Sequence, residues 1–272
     1  MSDKDYVLGT NDAEVDRLGL QHRVWREKAL AAWRRAGIGP GMTVLDVGAG
    51  PGFAAADLAE IVGPEGRVVA LERSGRFLAA LRDRAGRLGL DNIVVREQDV
   101  CALPIQEPAD AAWCRWVLSF AADPARVVAH IAGALRPGGV AVFHEYADYG
   151  SWRMMPPDPL VDRFRELVMR SWRESGGEPD IALRLPRLLA AAGLDLVATR
   201  PLIDIVGPAD VTWRWPAAFM ASNAARLAEL GYLGAEEAGA MAGALEAVSP
   251  DTLMITPLVA EIVARKREEP SR

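Results

Sequence analysis

Long apolar runs are missing from this chain. No uninterrupted hydrophobic stretch reaches the roughly 20 residues that a membrane-spanning helix needs. Cysteine is equally scarce. Cys101 and Cys114 are the two in 272 residues, and neither belongs to a C-x-x-C or similar metal-binding spacing. Each falls in or beside an expected buried strand, where a free thiol packs as a small apolar group; a reducing, cytoplasmic setting is expected. Basic charge does not predominate, because 31 Lys and Arg face 37 Asp and Glu for a net charge of −6. That balance supplies no global attraction to nucleic acid or anionic lipid, so neither is expected as a partner. Met1 to Asp5 are polar and lack the basic-then-apolar order of a signal peptide. Half of the residues are hydrophobic and a quarter charged, the composition of an ordinary soluble domain. The length accommodates one α/β domain with a sizeable core and an insertion.

What is present is alternation. Short β-branched runs at Met42–Val47, Arg67–Leu71, Asn92–Val95, Ala109–Cys114 and Gly139–Glu145 read as five strands. Amphipathic stretches at Ala54–Val62, Gly75–Leu88 and Pro124–Leu135 read as helices, bounded by Gly63-Pro64, Gly89 and Pro137-Gly138-Gly139. Strands and helices in alternation require crossover connections, and so a parallel sheet covered on both faces. Asp12–Arg35 is expected to be helical. After Tyr146 comes a Trp- and Met-rich helical stretch, then a strand over Leu194–Val206, a helical Trp213–Leu245 and a short last strand at Pro257–Ala264.

The segment Val44-Leu-Asp-Val-Gly-Ala-Gly-Pro-Gly-Phe53 carries the most information. An apolar strand runs into Gly48, Gly50 and Gly52, which permit unusual backbone angles and close approach of a ligand. A dinucleotide fingerprint needs a glycine five residues after the first, and position 53 is Phe. The order is instead G-x-G-x-G, with Asp46 two residues ahead. Glu72 ends the second strand, placed to accept hydrogen bonds from ribose hydroxyls. Asp99 follows the third strand within Arg96-Glu-Gln-Asp99-Val100.

These three landmarks, in order on successive strands, resemble the class I S-adenosylmethionine-dependent methyltransferases, above all the bacterial ubiquinone/menaquinone-type and natural-product enzymes. The resemblance extends through Leu135-Arg-Pro-Gly-Gly139, Arg184–Thr199 and Thr256–Lys266. It implies an α/β Rossmann-like fold of seven strands in the order 3-2-1-4-5-7-6 with helical cap insertions. One domain over 1–272 is then expected. Residues 1–40 form a helical lid and 41–146 the cofactor-binding core. Residues 147–193 and 207–250 form a cap over an acceptor pocket, and 194–206 and 251–266 the last strands.

The resemblance also implies S-adenosyl-L-methionine as cofactor and S-adenosyl-L-homocysteine as product. Gly48, Ala49, Gly50 and Gly52 would then contact the methionine part, with Asp46 shaping the turn. Glu72 and its neighbour Arg73 would lie at the ribose, with Asp99 and Val100 at the adenine. Arg115 and Trp116 would stand between cofactor and acceptor. Tyr6 and Gln21 are placed over the cofactor carboxylate, although each reads equally well as a packing aromatic and a surface polar residue. His144 and Glu145, at the expected end of the fifth strand, are the candidate bases, His144 because it titrates nearest neutrality. His22 and His130 lie inside expected helices and rank behind them. Trp113-Cys-Arg-Trp116 has no carboxylate at the end of the fourth strand, so no metal is expected. The partner expected is a small aromatic or lipophilic acceptor methylated on oxygen, nitrogen or carbon, with a homodimer possible through apolar cap helices. The competing readings are a non-catalytic cofactor-binding module and a methyltransferase acting on tRNA or protein.

Overall fold

The computed structural model describes residues 12–246 and 248–268. Helix α1 (Asp12–Ala36) carries Asp12 and Glu14 in its first turn and Arg34 and Arg35 in its last, charges that oppose the helix dipole. It leads into β1 (Thr43–Val47), α2 (Phe53–Val62), β2 (Arg67–Glu72), α3 (Gly75–Leu88) and β3 (Ile93–Glu97). Strand β4 (Ala109–Arg115), α4 (Pro124–Ala134) and β5 (Leu135–Asp148) complete the alternating half. Local chemistry sets the helix starts. Ser74 Oγ accepts from Phe77 N ahead of α3. Asp123 accepts from Arg126 N ahead of α4, where Pro124 takes the first turn.

The second half contains β6 (Arg153–Met155), α5 (Pro159–Glu174), α6 (Leu185–Ala191), β7 (Leu194–Leu202), β8 (Ile205–Val206), α7 (Arg214–Glu229), α8 (Ala235–Gly243), β9 (Leu253–Ile255) and β10 (Leu258–Lys266). The main sheet runs β3-β2-β1-β4-β5-β10-β7, the order expected from the sequence once β10 is counted as the seventh strand and β7 as the sixth. The first five strands are parallel, and β10 runs antiparallel to both its neighbours. Strand order reverses between β1 and β4, which opens a crevice at their carboxyl ends.

Two apolar clusters cover the two faces of this sheet. On one face Trp33 of α1 meets Trp113 of β4 edge-on, with ring centroids 5.2 Å apart. A third cluster forms the cap, from Trp152, Phe164, Trp172, Trp213, Trp215 and Met241 among others. The cap was expected to be helical. It also contains a small antiparallel sheet, β6-β9-β8. The expected strand Leu194–Val206 is divided because Asp204 leaves the ladder: its N–H bonds Thr256 Oγ1 at 3.0 Å and its carboxylate bonds Lys28 Nζ at 2.7 Å. No described helix is long and apolar enough to cross a membrane.

Trp33 is fully buried and ties α1 to the sheet. Trp33→Ala is expected to lower unfolding free energy by about 3–5 kcal/mol, measured by urea denaturation. A loss below about 1 kcal/mol would mean that α1 is not anchored there.

Candidate functional site

A cleft of about 1260 Å³, part of it open to solvent, lies at the carboxyl edge of the sheet beneath α1 and the cap. Its floor is the glycine turn. Gly48 has φ +68°, and a Cβ there would come within 2.4 Å of Val117 Cγ2. Gly52 has φ +80°, and a Cβ there would come within 2.5 Å of Leu81 Cγ. Both positions therefore require glycine for conformation and for space. Gly48, Ala49 and Gly50 line the cleft, whereas Gly52 does not. Gly52 packs behind the turn and starts α2, which corrects the expectation that it contacts a ligand.

Glu72 grips this turn from the tip of β2. Its Oε2 accepts from Gly50 N at 2.9 Å, and its Oε1 accepts from Arg73 N and Ser74 N at 2.8 Å each. Burial raises its pKa even against these three N–H bonds. A carboxylate has about four lone-pair positions, so Oε2 retains capacity for a hydroxyl donor. Asp99 turns the chain after β3, its Oδ1 accepting from Cys101 N at 2.8 Å. His130 Nδ1 lies 2.8 Å from Val100 O and fixes that stretch from α4. Arg73, Asp99 and Val100 all line the cleft.

The other end of the cleft holds two opposite charges. Asp46 is 2% exposed, and its buried Oδ2 has no hydrogen-bond partner among the described residues. Burial pushes its pKa to about 7, against the opposing charge of Arg115 and a hydrogen bond from Ala55 N–H. Arg115 Nη1 is likewise buried and unpartnered, and burial brings its pKa down to about 10. Arg115 Nη2 lies 3.3 Å from His22 Nδ1, and His22 Nε2 lies 3.0 Å from Asp57 Oδ2. Gln21 lines the same cleft, but its Oε1 accepts from Arg17 Nη1 at 3.0 Å and Trp215 Nε1 at 3.2 Å. Tyr6, placed with it by the sequence, lies outside the described residues.

The cap side of the cleft is aromatic, formed by Trp116, Phe120, Tyr146, Trp172 and Phe219. Trp116 has φ 52°, a left-handed conformation costly for a bulky side chain. Its indole stacks on Trp215 and on Tyr146, with ring centroids 5.6 Å away in each case.

His144 and Glu145 do not line this cleft, which corrects their reading as bases. Strand β5 continues to Asp148, so both lie within the sheet, paired with Glu261 and Ala260 of β10. His144 is fully buried against Trp113, with ring centroids 4.7 Å apart, and burial takes its pKa to about 4. Glu145 is fully buried and accepts from Val117 N and Leu118 N at 2.9 Å, Ser119 N at 3.3 Å and Ser119 Oγ at 2.8 Å. Its carboxylate holds the segment carrying Trp116. Sequence reading ranked His22 behind His144 and Glu145 and passed over Phe120 and Phe219. The signal for His22 was its place on α1 one residue beyond Gln21, which folding carries to the carboxyl edge of the sheet. Among the described residues, no group of three or more His, Cys, Asp or Glu could hold a metal ion.

The arrangement suits one ligand shape: a nucleoside at the Glu72 and Asp99 end, and a zwitterionic amino acid at the Asp46 and Arg115 end. Asp46 can take an ammonium and Arg115 a carboxylate, each recovering a bond that burial denies it. These residues fit S-adenosylmethionine.

The strand order is typical of the class I S-adenosylmethionine-dependent methyltransferases. Residues 38–170 match the methyltransferase-domain family. The chain is 34% identical over 135 residues to the ubiquinone/menaquinone biosynthesis C-methyltransferase UbiE of Brucella anthropi, covering 47% of this chain and 49% of that protein. It is 29% identical over 171 residues to the 2-phytyl-1,4-naphtoquinone methyltransferase of Synechococcus elongatus, covering 62% and 69%. The [4+2]-cyclase SpnF shares the fold, with a TM-score of 0.57 at 21% identity over 89% of this chain and 82% of SpnF. The chain spans 28–49% of the length of four curated relatives it matches.

Burial of the Asp46 charge yields a signed prediction. Its folded pKa lies above its ordinary value of 3.8, at about 7, so Asp46 stabilises the ligand-free fold less and less as pH rises from 3.8 to about 7, and the full penalty is present above that. Asp46→Asn carries no charge at any pH. The melting temperature of the variant relative to the parent is expected to be higher at pH 8 than at pH 5, with weakened S-adenosylhomocysteine binding. An identical difference at both pH values would contradict it.

Proposed function

We propose that the chain binds S-adenosylmethionine in this cleft and transfers its methyl group to a small planar aromatic or lipophilic acceptor held under the cap. The observation that carries this reading is the pair of buried, oppositely charged atoms, Asp46 Oδ2 and Arg115 Nη1, that have no hydrogen-bond partner among the described residues, in the cleft that Glu72 and Asp99 also line. When bound, the cofactor supplies a sulfonium-activated methyl. Glu72 and Asp99 hold the nucleoside end, Asp46 and Arg115 the amino-acid end. Together they leave one orientation for the reacting carbon.

The aromatic side chains do the rest. Trp116, Phe120, Tyr146, Trp172 and Phe219 offer faces and edges to a planar acceptor and keep bulk water away from it. Rings near a sulfonium also stabilise it by cation–π attraction, at roughly 0.5–2 kcal/mol each. With His144 and Glu145 outside the cleft, the reading favours an acceptor whose nucleophile is already electron-rich, such as the reduced form of a quinone. Two similar proteins carry quinones in their names, a ubiquinone/menaquinone biosynthesis C-methyltransferase and a 2-phytyl-1,4-naphtoquinone methyltransferase. The reading covers O-, N- and C-methylation alike.

A second reading is binding of the cofactor without methyl transfer, as a regulatory module or as an enzyme of another reaction. The fold of a [4+2]-cyclase is compatible with it, since one fold hosts unrelated chemistries. Incubation with methyl-labelled cofactor and a panel of reduced naphthoquinones and phenols separates the two. Label is expected in at least one planar acceptor. Tight S-adenosylhomocysteine binding with no label in any acceptor of the panel or of a metabolite extract would favour the second reading. Glu72→Ala, which removes a charged acceptor, is expected to weaken S-adenosylhomocysteine by about 10–100-fold in calorimetry. Unchanged affinity would contradict its place at the ribose.

A further inference from the structure

His22 occupies a position that packing alone does not account for. It is 6% exposed yet lines the cleft, and both its ring nitrogens face charged groups. Nε2 lies 3.0 Å from Asp57 Oδ2, and Asp57 is held from its other side by Arg26 Nε at 2.9 Å and 3.1 Å. Burial acts to raise the Asp57 pKa, but the hydrogen bonds and charges of His22 and Arg26 outweigh it and keep the carboxyl ionised. An ionised carboxylate only accepts, so the His22 proton sits on Nε2 and Nδ1 is bare. Arg115 Nη2, 3.3 Å away, then donates to Nδ1.

The imidazole plane is fixed as well. It stacks on Phe53 at 5.7 Å with an interplanar angle of 21°, and Phe53 is the first residue of α2 after the glycine turn. The Arg115 guanidinium lies 5.6 Å from the Trp113 ring and 5.2 Å from the Trp116 ring. Rings and imidazole thus fix its orientation, and the buried Nη1 has no acceptor among the described residues.

We propose that His22, its tautomer set by Asp57, is a positioning residue that holds Arg115 against the carboxylate of the cofactor's amino-acid end. The inference rests on the cofactor reading above and assigns the carboxylate to Arg115, with His22 fixing the guanidinium from behind through Nδ1.

A pH dependence follows. Burial, foremost, lowers the His22 pKa, with the charges of Arg115 and Arg26 acting the same way and Asp57 opposing them. Neutral His22 accepts from Arg115; protonated His22 loses that acceptor and sets a second positive charge beside the guanidinium. Asp57 from α2, Arg26 from α1 and Arg115 from β4 are the charged groups facing it. Asp46, across from Arg115, has its pKa pushed up to about 7 by burial.

Calorimetry with two ligands tests the proposal: S-adenosylhomocysteine, and 5′-methylthioadenosine, which keeps the nucleoside and the thioether but lacks the amino-acid end. His22→Ala is expected to weaken S-adenosylhomocysteine by about tenfold or more at pH 8 while leaving 5′-methylthioadenosine unchanged. His22→Gln, whose amide oxygen still accepts from Arg115, is expected to retain most of the affinity. It should also lose less affinity than the parent between pH 8 and pH 5, because it cannot protonate. Unchanged S-adenosylhomocysteine affinity in His22→Ala, or a parallel loss for both ligands, would overturn the positioning role. Failure of the parent protein to bind either ligand would overturn the cofactor reading itself, a distinguishable result.

Discussion

An aspartate and an arginine, each with a buried atom left unpaired among the described residues, set the terms for the rest of the structure. Removing Asp46 and Arg115 from water is unfavourable, and the attraction between their charges only partly offsets that burial. The surrounding residues make the arrangement tenable. Ala55 N–H supports Asp46, and His22, Trp113 and Trp116 support Arg115. The sheet supplies the rigidity, since Asp46 lies on its central strand, paired on both sides. Such a site spends stability to have its charges oriented before a ligand arrives.

The opposite wall depends on a second buried carboxylate with a different task. Glu145 accepts three backbone N–H groups and one hydroxyl, and burial places its pKa at about 7 despite them. It fixes the segment after β4, where Trp116 adopts its left-handed conformation and Val117 fills the space beside Gly48. One short segment therefore shapes both the glycine turn and the aromatic wall. The cofactor end and the proposed acceptor end are mechanically linked through Val117 and Trp116.

Much of this was legible in the chain because its signals are local. The helix over Gly75–Leu88 has a serine cap and a glycine stop, and the G-x-G-x-G turn follows an apolar strand buried on both faces. The strand order followed from the resemblance that this turn, Glu72 and Asp99 support. What escaped was non-local. Strands of two or three residues, such as β6, β8 and β9, are too short for periodicity to register; they exist because the cap folds them together. His144 and Glu145 were misplaced because β5 extends three residues beyond Glu145, held by its antiparallel partner β10. An expected strand tip thus became strand interior. His22 was set aside as a helical residue, since nothing near it in sequence announces Asp57, 35 residues away.

The central claim concerns where a ligand's charges and hydroxyls are held, and a crystal structure with S-adenosylhomocysteine tests it most directly. The ribose is expected on Glu72, the amino group on Asp46 and the carboxylate on Arg115 Nη1. A ligand bound elsewhere, or one in this cleft with its amino-acid end turned away from Asp46 and Arg115, would contradict the account.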